Sequence, residues 1–295
     1  MKASAFAYAR ASSLDNALEL LAAHGEKAKV LSGGQSLMPA MNLRLISPEL
    51  IVDIGGLDEL RGIAVGSGVL RIGALTRHVD LLKSPEIAAQ APLLAEAVAH
   101  VAHPAIRNRG TLGGSLAHAD PASELPACML ALEATMVVHG GDGERRIAAA
   151  DFFQGIFQTA LSAEELLIAI ELPTMRKNSA HFFYEFARRH GDYAIAGLAA
   201  LAVIDAGGVM KNFRPVFFAV GDRPVLSRVV DRLLDVPVTP KLLSEVSAAL
   251  GEELAPYDDQ QATASMRRHL AKVLLARCVS TLLGRSDLGA SGRAA

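Results

Sequence analysis

Residues 111–115 read Thr-Leu-Gly-Gly-Ser, and residues 32–36 read Ser-Gly-Gly-Gln-Ser. In each stretch a Gly-Gly step follows an apolar run and is flanked by small polar side chains. Because glycine has no Cβ and adopts positive φ without strain, such a step lets backbone N–H groups approach a ligand closely. A single loop of this kind is often only a tight turn. The presence of both in one chain indicates a pair of loops that closes on the pyrophosphate of a dinucleotide.

The residues around the first loop predict a small α/β unit. A helix that ends at Gly25 precedes a short buried strand, Lys29–Leu31, which runs directly into the loop. Leu37 then opens a helical turn, and Leu50–Ile54 predicts a second strand. Free N–H groups between a strand and a helical turn are a suitable place for phosphate oxygens. We expect this unit to form a first subdomain over residues 1–57.

The second loop lies in a different setting. The pattern predicts one helix over Pro85–Val101, and residues 102–126 are nearly all small or polar. A long irregular segment inside a compact domain is usually functional, and this one contains the second loop. A hairpin of Thr135–His139 with Arg146–Ala148 and a strand over Glu165–Leu172 complete the predicted second subdomain, residues 58–176.

The rest of the chain predicts strands followed by helices. The predicted elements are strands at Phe182–Arg188, Ala196–Ile204 and Val216–Val220 and helices at Thr239–Leu250 and Thr263–Leu283. The boundary falls in the charged segment 174–179. We therefore divide the chain into residues 1–176, a C-terminal domain over 177–284 and a disordered tail over 285–295.

Composition excludes several classes of protein. The 295 residues are 51% hydrophobic and 20% charged, and the net charge of −2 gives no electrostatic argument for nucleic-acid binding. Cys128 and Cys278 lie far apart, and the histidines are scattered, so we expect no metal site. The apolar stretch 194–204 is too short to span a bilayer. These features favour a cytoplasmic protein without a membrane span.

Known catalytic motifs are missing from the glycine loops. Residues 113–117 read Gly-Gly-Ser-Leu-Ala and lack the final glycine of a nucleophile elbow. The chain has no Walker A motif and no Gly-x-Gly-x-x-Gly that opens a βαβ unit. A hydrolase and a Rossmann-type nicotinamide enzyme are therefore disfavoured, and we assign no catalytic side chain.

Three polar or aromatic side chains near the loops have two interpretations each. Asp120 and Glu124 are placed to accept hydrogen bonds from ribityl or ribose hydroxyls, or to cap a helix, since Asp120 precedes Pro121. Tyr193 is a rare aromatic in a polar loop and is suited to lie against a flat ring. The alternative for Tyr193 is an ordinary surface turn capped by Asp192.

Longer runs that include these loops resemble the FAD-binding medium subunit of the molybdenum hydroxylases, the family of xanthine dehydrogenase and aerobic carbon monoxide dehydrogenase. The resemblance covers almost the whole chain and is carried by residues 33–39, Arg44-Leu45, 52–54, 106–121, 171–173, 188–194 and 264–268. It implies an α+β fold. A two-subdomain FAD-binding domain of the PCMH type, similar to vanillyl-alcohol oxidase, would be followed by a C-terminal domain of a small antiparallel sheet with helices.

The resemblance also implies which residues contact FAD. They are Lys29, Val30, Leu31, Ser32, Gly33, Gly34, Gln35, Ser36, Leu37, Thr111, Leu112, Gly113, Gly114, Ser115, Asp120, Glu124, Leu167 and Tyr193. The two loops would hold the diphosphate, Glu124 or Asp120 the ribityl chain, and Leu167 a position near the flavin, with Tyr193 over the isoalloxazine. One departure is Tyr184, where several relatives carry a lysine that would favour the anionic reduced flavin.

The family's division of labour defines the expected partners. A large molybdopterin-binding subunit would hydroxylate the substrate, and a small subunit with [2Fe–2S] clusters would pass electrons to FAD, in a dimer of heterotrimers. The external acceptor would be NAD, a quinone or oxygen. Two cysteines cannot ligate a cluster that needs four thiolates, which disfavours the hydroxybenzoyl-CoA reductase branch with its extra cluster. The alternatives are a stand-alone flavin-dependent oxidoreductase and an assembly module that has lost its flavin.

Overall fold

A three-stranded, a five-stranded and a four-stranded sheet, with a two-stranded hairpin, organise this protein in a computed structural model that describes residues 2–288. Within that range, none of the helices has the length and apolar character needed to cross a membrane.

The first sheet is parallel and lies at the N-terminus. Its elements are β1 (Ala7–Arg10), α1 (Leu14–His24), β2 (Ala28–Leu31), α2 (Leu37–Asn42) and β3 (Leu50–Asp53). The strand order is β1–β3–β2, so the carboxyl ends of all three strands lie at one edge. Ser13 accepts a hydrogen bond from the Asn16 N–H at the start of α1, and Gly25 ends the helix. The first glycine loop leaves the carboxyl end of β2.

The second sheet is antiparallel, with helices packed on it. Its elements are β4 (Ile63–Gly66), β5 (Val69–Gly73), α3 (His78–Lys83), α4 (Pro85–Gln90), α5 (Pro92–His100), α6 (Pro104–Arg107), α7 (Leu112–His118), α8 (Glu124–Ala131), β6 (Thr135–Gly140), β7 (Gly143–Ala148), α9 (Ala149–Phe152), β8 (Phe153–Gly155), β9 (Gln158–Thr159) and β10 (Leu166–Pro173). The order is β4–β5–β10–β6–β7. The predicted hairpin is confirmed, with Gly140 opposite Gly143.

The third sheet is antiparallel and is covered on both faces. Its elements are β11 (Ser179–Ala187), β12 (Ala194–Ile204), β13 (Met210–Phe218), β14 (Val225–Leu226), α10 (Pro240–Glu253) and α11 (Ala264–Leu283). Phe217 packs into the core with α10 and α11, whereas Phe218 packs into the core with α5 and α8. Burial on both faces explains why β12 is a continuous apolar run rather than an alternating one. It also explains Gly197, where a Cβ would collide with the Phe218 ring.

Two predicted elements differ from the structure. The helix predicted over residues 85–101 is split at Ala91, because Pro92 has no N–H to donate and begins a new helix, α5. The segment 102–126 is not irregular, since it contains α6, α7 and the start of α8. Every residue of α8 is buried, so the helix has no amphipathic period that a sequence pattern would detect.

The first residues of the predicted tail are folded. Residues Ser286–Leu288 form a 3₁₀ turn, and the Leu288 side chain is buried in the C-terminal core. The Arg285 side chain donates a hydrogen bond to the Val238 carbonyl at 2.7 Å, which holds this turn on the domain. The rest of the predicted tail, residues 289–295, lies outside the described residues.

Candidate cofactor-binding site

The two glycine loops touch each other. Ser32 Oγ lies 2.7 Å from Thr111 Oγ1, across a separation of 79 residues in sequence. A Cβ on Gly33 would lie 2.4 Å from the Arg109 carbonyl oxygen and 2.8 Å from the Gly110 Cα. Both neighbours are backbone atoms that cannot rotate away, so only glycine permits this approach. The structure therefore brings the two sequence-predicted loops into one site.

The first loop carries amides that have no partner within the protein. No atom of residues 2–288 accepts a hydrogen bond from the N–H groups of Gly33, Gly34, Gln35 or Ser36. Gly34 has φ 71°, and the Gln35 side chain donates to the Gly33 carbonyl at 2.9 Å, which holds the turn in shape. Successive free N–H groups in such a turn form a concavity that binds anions.

The second loop differs from the first, because its N–H groups already donate hydrogen bonds within the protein. The N–H groups of residues 112–115 donate to the carbonyls of Thr76, Ala74 and Thr111 and to the Thr111 hydroxyl. A Cβ on Gly113 would lie 2.5 Å from the Ala74 Cβ, so this glycine is required for packing of α7 on the chain after β5. The polar groups that the second loop offers to a ligand are consequently hydroxyls, those of Thr111 and Ser115.

The His78 side chain and backbone contact the second loop and the residue before it. Its side chain is buried, and Nε2 lies 3.1 Å from Ser115 Oγ. Its backbone N–H donates to the Gly110 carbonyl, and Nδ1 has no partner within the described residues. Burial lowers the pKa of His78 to about 4, so the imidazole is neutral. Neither a motif nor a spacing in the sequence distinguishes His78 from the other histidines.

The neutral state of His78 leads to a prediction about acid stability. The unfolded chain binds a proton at the ordinary histidine pKa of 6.5, whereas the folded protein binds it only at about 4. Lowering the pH through this window therefore reduces stability, by about 3 kcal/mol in full. Urea unfolding at pH 7 and pH 4.5 should show that this drop in pH lowers the stability of the wild type relative to H78N, because the other titrating groups affect both proteins alike. The matched control H269N removes an exposed histidine and should lose as much as the wild type. Equal losses in wild type and H78N would contradict the assignment.

The acidic residues after α7 differ in their surroundings. Asp120 Oδ1 accepts a hydrogen bond from the Ala122 N–H at 2.9 Å and so closes a short turn. It does not cap α8, because that helix begins at Glu124 with Ser123 as its N-cap residue. The Glu124 side chain is buried, and the Ser123 hydroxyl, 3.4 Å away, is its hydrogen-bond donor. Burial, together with the nearby Glu185 carboxylate, raises the pKa of Glu124 to about 7.

Glu185 and His100 extend this acidic region into the junction between the second and third sheets. His100 Nδ1 on α5 lies 3.5 Å from Glu185 Oε1 on β11. The hydrogen bond to Glu185 raises the pKa of His100. The other carboxylate oxygen, Glu185 Oε2, is buried without a partner in the described part of the chain. Glu124, Glu185 and the partly exposed His100 thus form an acid–histidine cluster, which no sequence motif indicated.

Tyr193 lies beside the same region. It follows β11 in the loop before β12, and its side chain is 58% exposed. Partial burial, and then the Asp120 and Glu124 carboxylates, raise the pKa of the Tyr193 hydroxyl. The loop packs against the second subdomain through Gly191, which has φ 85° and where a Cβ would lie 2.7 Å from the Ala102 carbonyl oxygen. Tyr193 is therefore an exposed aromatic on an anchored loop.

Leu167 and Tyr184 complete the set of predicted residues. Leu167 is buried in β10, next to a shift in the β10–β6 register, and the adjoining Ile168 carbonyl accepts a hydrogen bond from the Ala74 N–H. Tyr184 faces α11, where the Arg277 guanidinium lies 5.4 Å from its ring centroid. Because side chains alternate along a strand, Tyr184 points away from the face of β11 that carries Glu185.

Comparison with known families assigns the chain. Residues 4–175 match the FAD binding domain in molybdopterin dehydrogenase, and residues 181–282 match the CO dehydrogenase flavoprotein C-terminal domain. This protein belongs to the FAD-binding medium subunits of the molybdenum hydroxylase family. The family and the α+β architecture expected from the sequence are both confirmed.

Individual relatives of this medium subunit span its whole length. It is 37% identical to the 6-hydroxypseudooxynicotine dehydrogenase complex subunit alpha of Paenarthrobacter nicotinovorans, over 97% of both chains. Its structure matches carbon monoxide dehydrogenase from Hydrogenophaga pseudoflava at a TM-score of 0.93 with 33% identity, covering 97% of this chain and 99% of that chain. Quinoline 2-oxidoreductase from Pseudomonas putida 86 matches at 0.90 with 36% identity, covering 96% and 99%. The homologues are subunits of dehydrogenase complexes, which favours the subunit prediction over a stand-alone flavin enzyme.

Proposed function

We propose that this medium subunit holds FAD across its two glycine loops, with the diphosphate on the first loop. The single observation that supports this placement best is the row of unpartnered amides in residues 33–36, closed on one side by Thr111. Four successive N–H donors stabilise an anion through charge-assisted hydrogen bonds. Thr111 and Ser115 would add hydroxyls from the second loop.

The remaining contacts follow from the geometry beyond the loops. Glu124 is a buried carboxylate with few donors, and the hydroxyls of a ribityl chain would supply them. Asp120 already accepts an internal N–H, so we give it the secondary role. Tyr193, exposed and anchored, would lie over the isoalloxazine, and Leu167 would support the ring from β10.

The electron-transfer role is part of the same proposal. Bound FAD would supply redox chemistry that the side chains of the chain do not provide, while the protein binds, orients and tunes it. We propose that the subunit accepts electrons from the [2Fe–2S] clusters of a small partner subunit and delivers them to an external acceptor. Its own two cysteines, Cys128 and Cys278, are buried and free. The clusters and the molybdenum would therefore belong to partner chains.

The expected assembly is a dimer of heterotrimers in the cytoplasm. Relatives are named as medium chains or medium subunits, for example the carbon monoxide dehydrogenase medium chain and the nicotine 6-hydroxylase medium subunit. Such names imply a large and a small companion for those proteins, and we extend that arrangement to this chain. Purification from the native host should give a molybdenum-containing large chain and an iron–sulfur small chain with it. Recovery of a flavin-containing chain alone, at monomer size, would contradict the assembly.

Cofactor content tests the binding proposal directly. The purified subunit should be yellow and should release FAD in an amount equimolar to the chain when denatured. FMN lacks the diphosphate, so its titration into flavin-free protein should show at least about 100-fold weaker binding than FAD, equivalent to about two lost charge-assisted hydrogen bonds. Fluorescence titration measures both affinities. Equal affinities for FMN and FAD would show that the first loop does not bind the diphosphate.

A further inference from the structure

Arg267 on α11 is a buried cation whose two terminal nitrogens donate hydrogen bonds to two backbone carbonyls and one carboxylate. Its Nη1 donates to the Ile195 carbonyl at 2.6 Å and to the Ala219 carbonyl at 2.8 Å. Its Nη2 donates to Asp259 Oδ2 at 2.6 Å. The residue is 4% exposed, so these interactions act away from the screening of water.

The carbonyls that Arg267 holds belong to the segments next to the proposed cofactor contacts. Ile195 lies two residues beyond Tyr193, at the start of β12. Ala219 has φ 59°, and its N–H donates to the Pro121 carbonyl at 2.8 Å, directly after Asp120. The Arg267 guanidinium thus connects the backbone that follows Tyr193 to Ala219, and Ala219 is bonded to the turn that carries Asp120.

The other end of the Tyr193 loop is tied to the same region. The Arg188 guanidinium donates to the carbonyls of Gln260 and Gln261, both at 3.2 Å. Asp259 closes this turn by accepting N–H groups from Gln261 and Ala262. The segment 259–261 therefore holds the Tyr193 loop from both sides, through Arg188 before it and through Arg267 after it.

A role in packing alone does not explain an arginine at this position. Burial of a guanidinium carries a desolvation cost that an apolar side chain of similar size would avoid. Arg267 Nε is in addition buried without a partner within residues 2–288. What only a planar guanidinium provides is several directed N–H donors, which reach two carbonyls and a carboxylate together.

We propose that Arg267 is a positioning residue of the cofactor site, which fixes the Tyr193 loop and the Asp120–Pro121 turn relative to each other. The inference that this affects FAD rests on the proposed function. Arg267 itself touches neither loop of the diphosphate site, and it acts through the backbone of Ile195 and Ala219.

The test compares R267K with two control variants in the full-length chain. Lysine keeps the charge but presents a compact ammonium that cannot reach all three acceptors in the same geometry. R268K alters the neighbouring arginine, whose Nε donates to the Leu254 carbonyl at 3.3 Å. V246A truncates a buried side chain in the core between α10 and α11 and controls for a general loss of stability.

Hydrogen exchange provides a readout that does not depend on FAD. In R267K, the N–H groups of residues 193–197, 119–120 and 122–123 should exchange about tenfold faster than in V246A, as expected when directed hydrogen bonds to a charged group are lost. FAD affinity should fall about tenfold as well, and R268K should match the wild type in both measurements. Exchange in these segments that remains at the V246A level would overturn the proposal.

A second variant covers the case in which R267K does not fold. D259N keeps the guanidinium and its carbonyl contacts but removes the paired charge, and it should accelerate exchange in the same segments to a smaller extent. No acceleration in D259N would also overturn the positioning role. If the wild type fails to bind FAD, the proposed function fails, whereas the exchange data still decide whether Arg267 holds the two segments.

Discussion

The variant G33A is expected to lose about 100-fold in FAD affinity, because overpacking against rigid neighbours typically costs 1–3 kcal/mol. The added Cβ would lie 2.4 Å from the Arg109 carbonyl oxygen and 2.8 Å from the Gly110 Cα. Neither backbone atom can rotate away, so the loops must separate. Separation also breaks the contact between Ser32 and Thr111, and with it the closed side of the proposed diphosphate site.

The control for this prediction is a glycine in open space. A Cβ on Gly66, at the end of β4, would meet nothing within 4 Å, so G66A should bind FAD as the wild type does. Fluorescence titration measures affinity, and circular dichroism of each flavin-free variant confirms that it is folded. A folded G33A protein with wild-type affinity would show that the diphosphate does not depend on the closed arrangement of the loops.

Glu124 is expected to make the flavin-free protein less stable as the pH rises. Its pKa is about 7 in the fold against the ordinary glutamate value of 4.5, so the folded protein holds a proton that the unfolded chain has already released. Stability is lost as the pH increases through this window, by about 3 kcal/mol once the carboxyl is ionised. E124Q removes this contribution and should be more stable than the wild type at pH 8, with little difference at pH 4.5.

Bound FAD should restore much of the stability that the protein loses when Glu124 ionises. Ribityl hydroxyls that donate to the ionised Glu124 would stabilise its charged form, so FAD affinity in the wild type should rise between pH 6 and pH 8. E124Q should bind FAD more weakly at pH 8 and without that pH dependence. Urea unfolding at each of these pH values, with and without FAD, measures the stability of the wild type and of E124Q and the stability that FAD adds to each. E133Q, a change at a residue on the chain after α8, serves as the control. If E124Q retains the wild-type pH dependence, the effect does not come from Glu124.

Local rules predicted the elements whose residues alternate or repeat clearly. Gly25 ends α1 as expected, and the predicted hairpin forms with Gly140 opposite Gly143. The rules failed where local pattern and environment diverge. The buried helix α8 shows no polar face, and Pro92 divides what looked like one helix. Burial on all sides removes the period of α8, whereas Pro92 ends one helix and begins the next because it has no N–H to donate.

The candidate site likewise has features that the sequence predicts and features that only the structure shows. Residues 32–36 and 111–115 were recognisable because each places a Gly-Gly step among small polar residues after an apolar run, and both occur in one chain. Their separate roles were not recognisable, since both stretches look alike. Only the packing of Gly113 against Ala74 and the free amides of residues 33–36 distinguish a loop that packs from a loop that offers donors.

The sequence by itself determined the family, the two glycine loops and the order of the main elements, because motifs and short-range periodicity are properties of neighbouring residues. Only the tertiary structure decided that Ser32 meets Thr111, that His78 supports the second loop, and that Glu124 is buried beside Glu185. It also decided that Arg267 joins Ile195 to Ala219. These contacts link residues far apart in the chain, and burial then sets their charge states, so no local pattern encodes them.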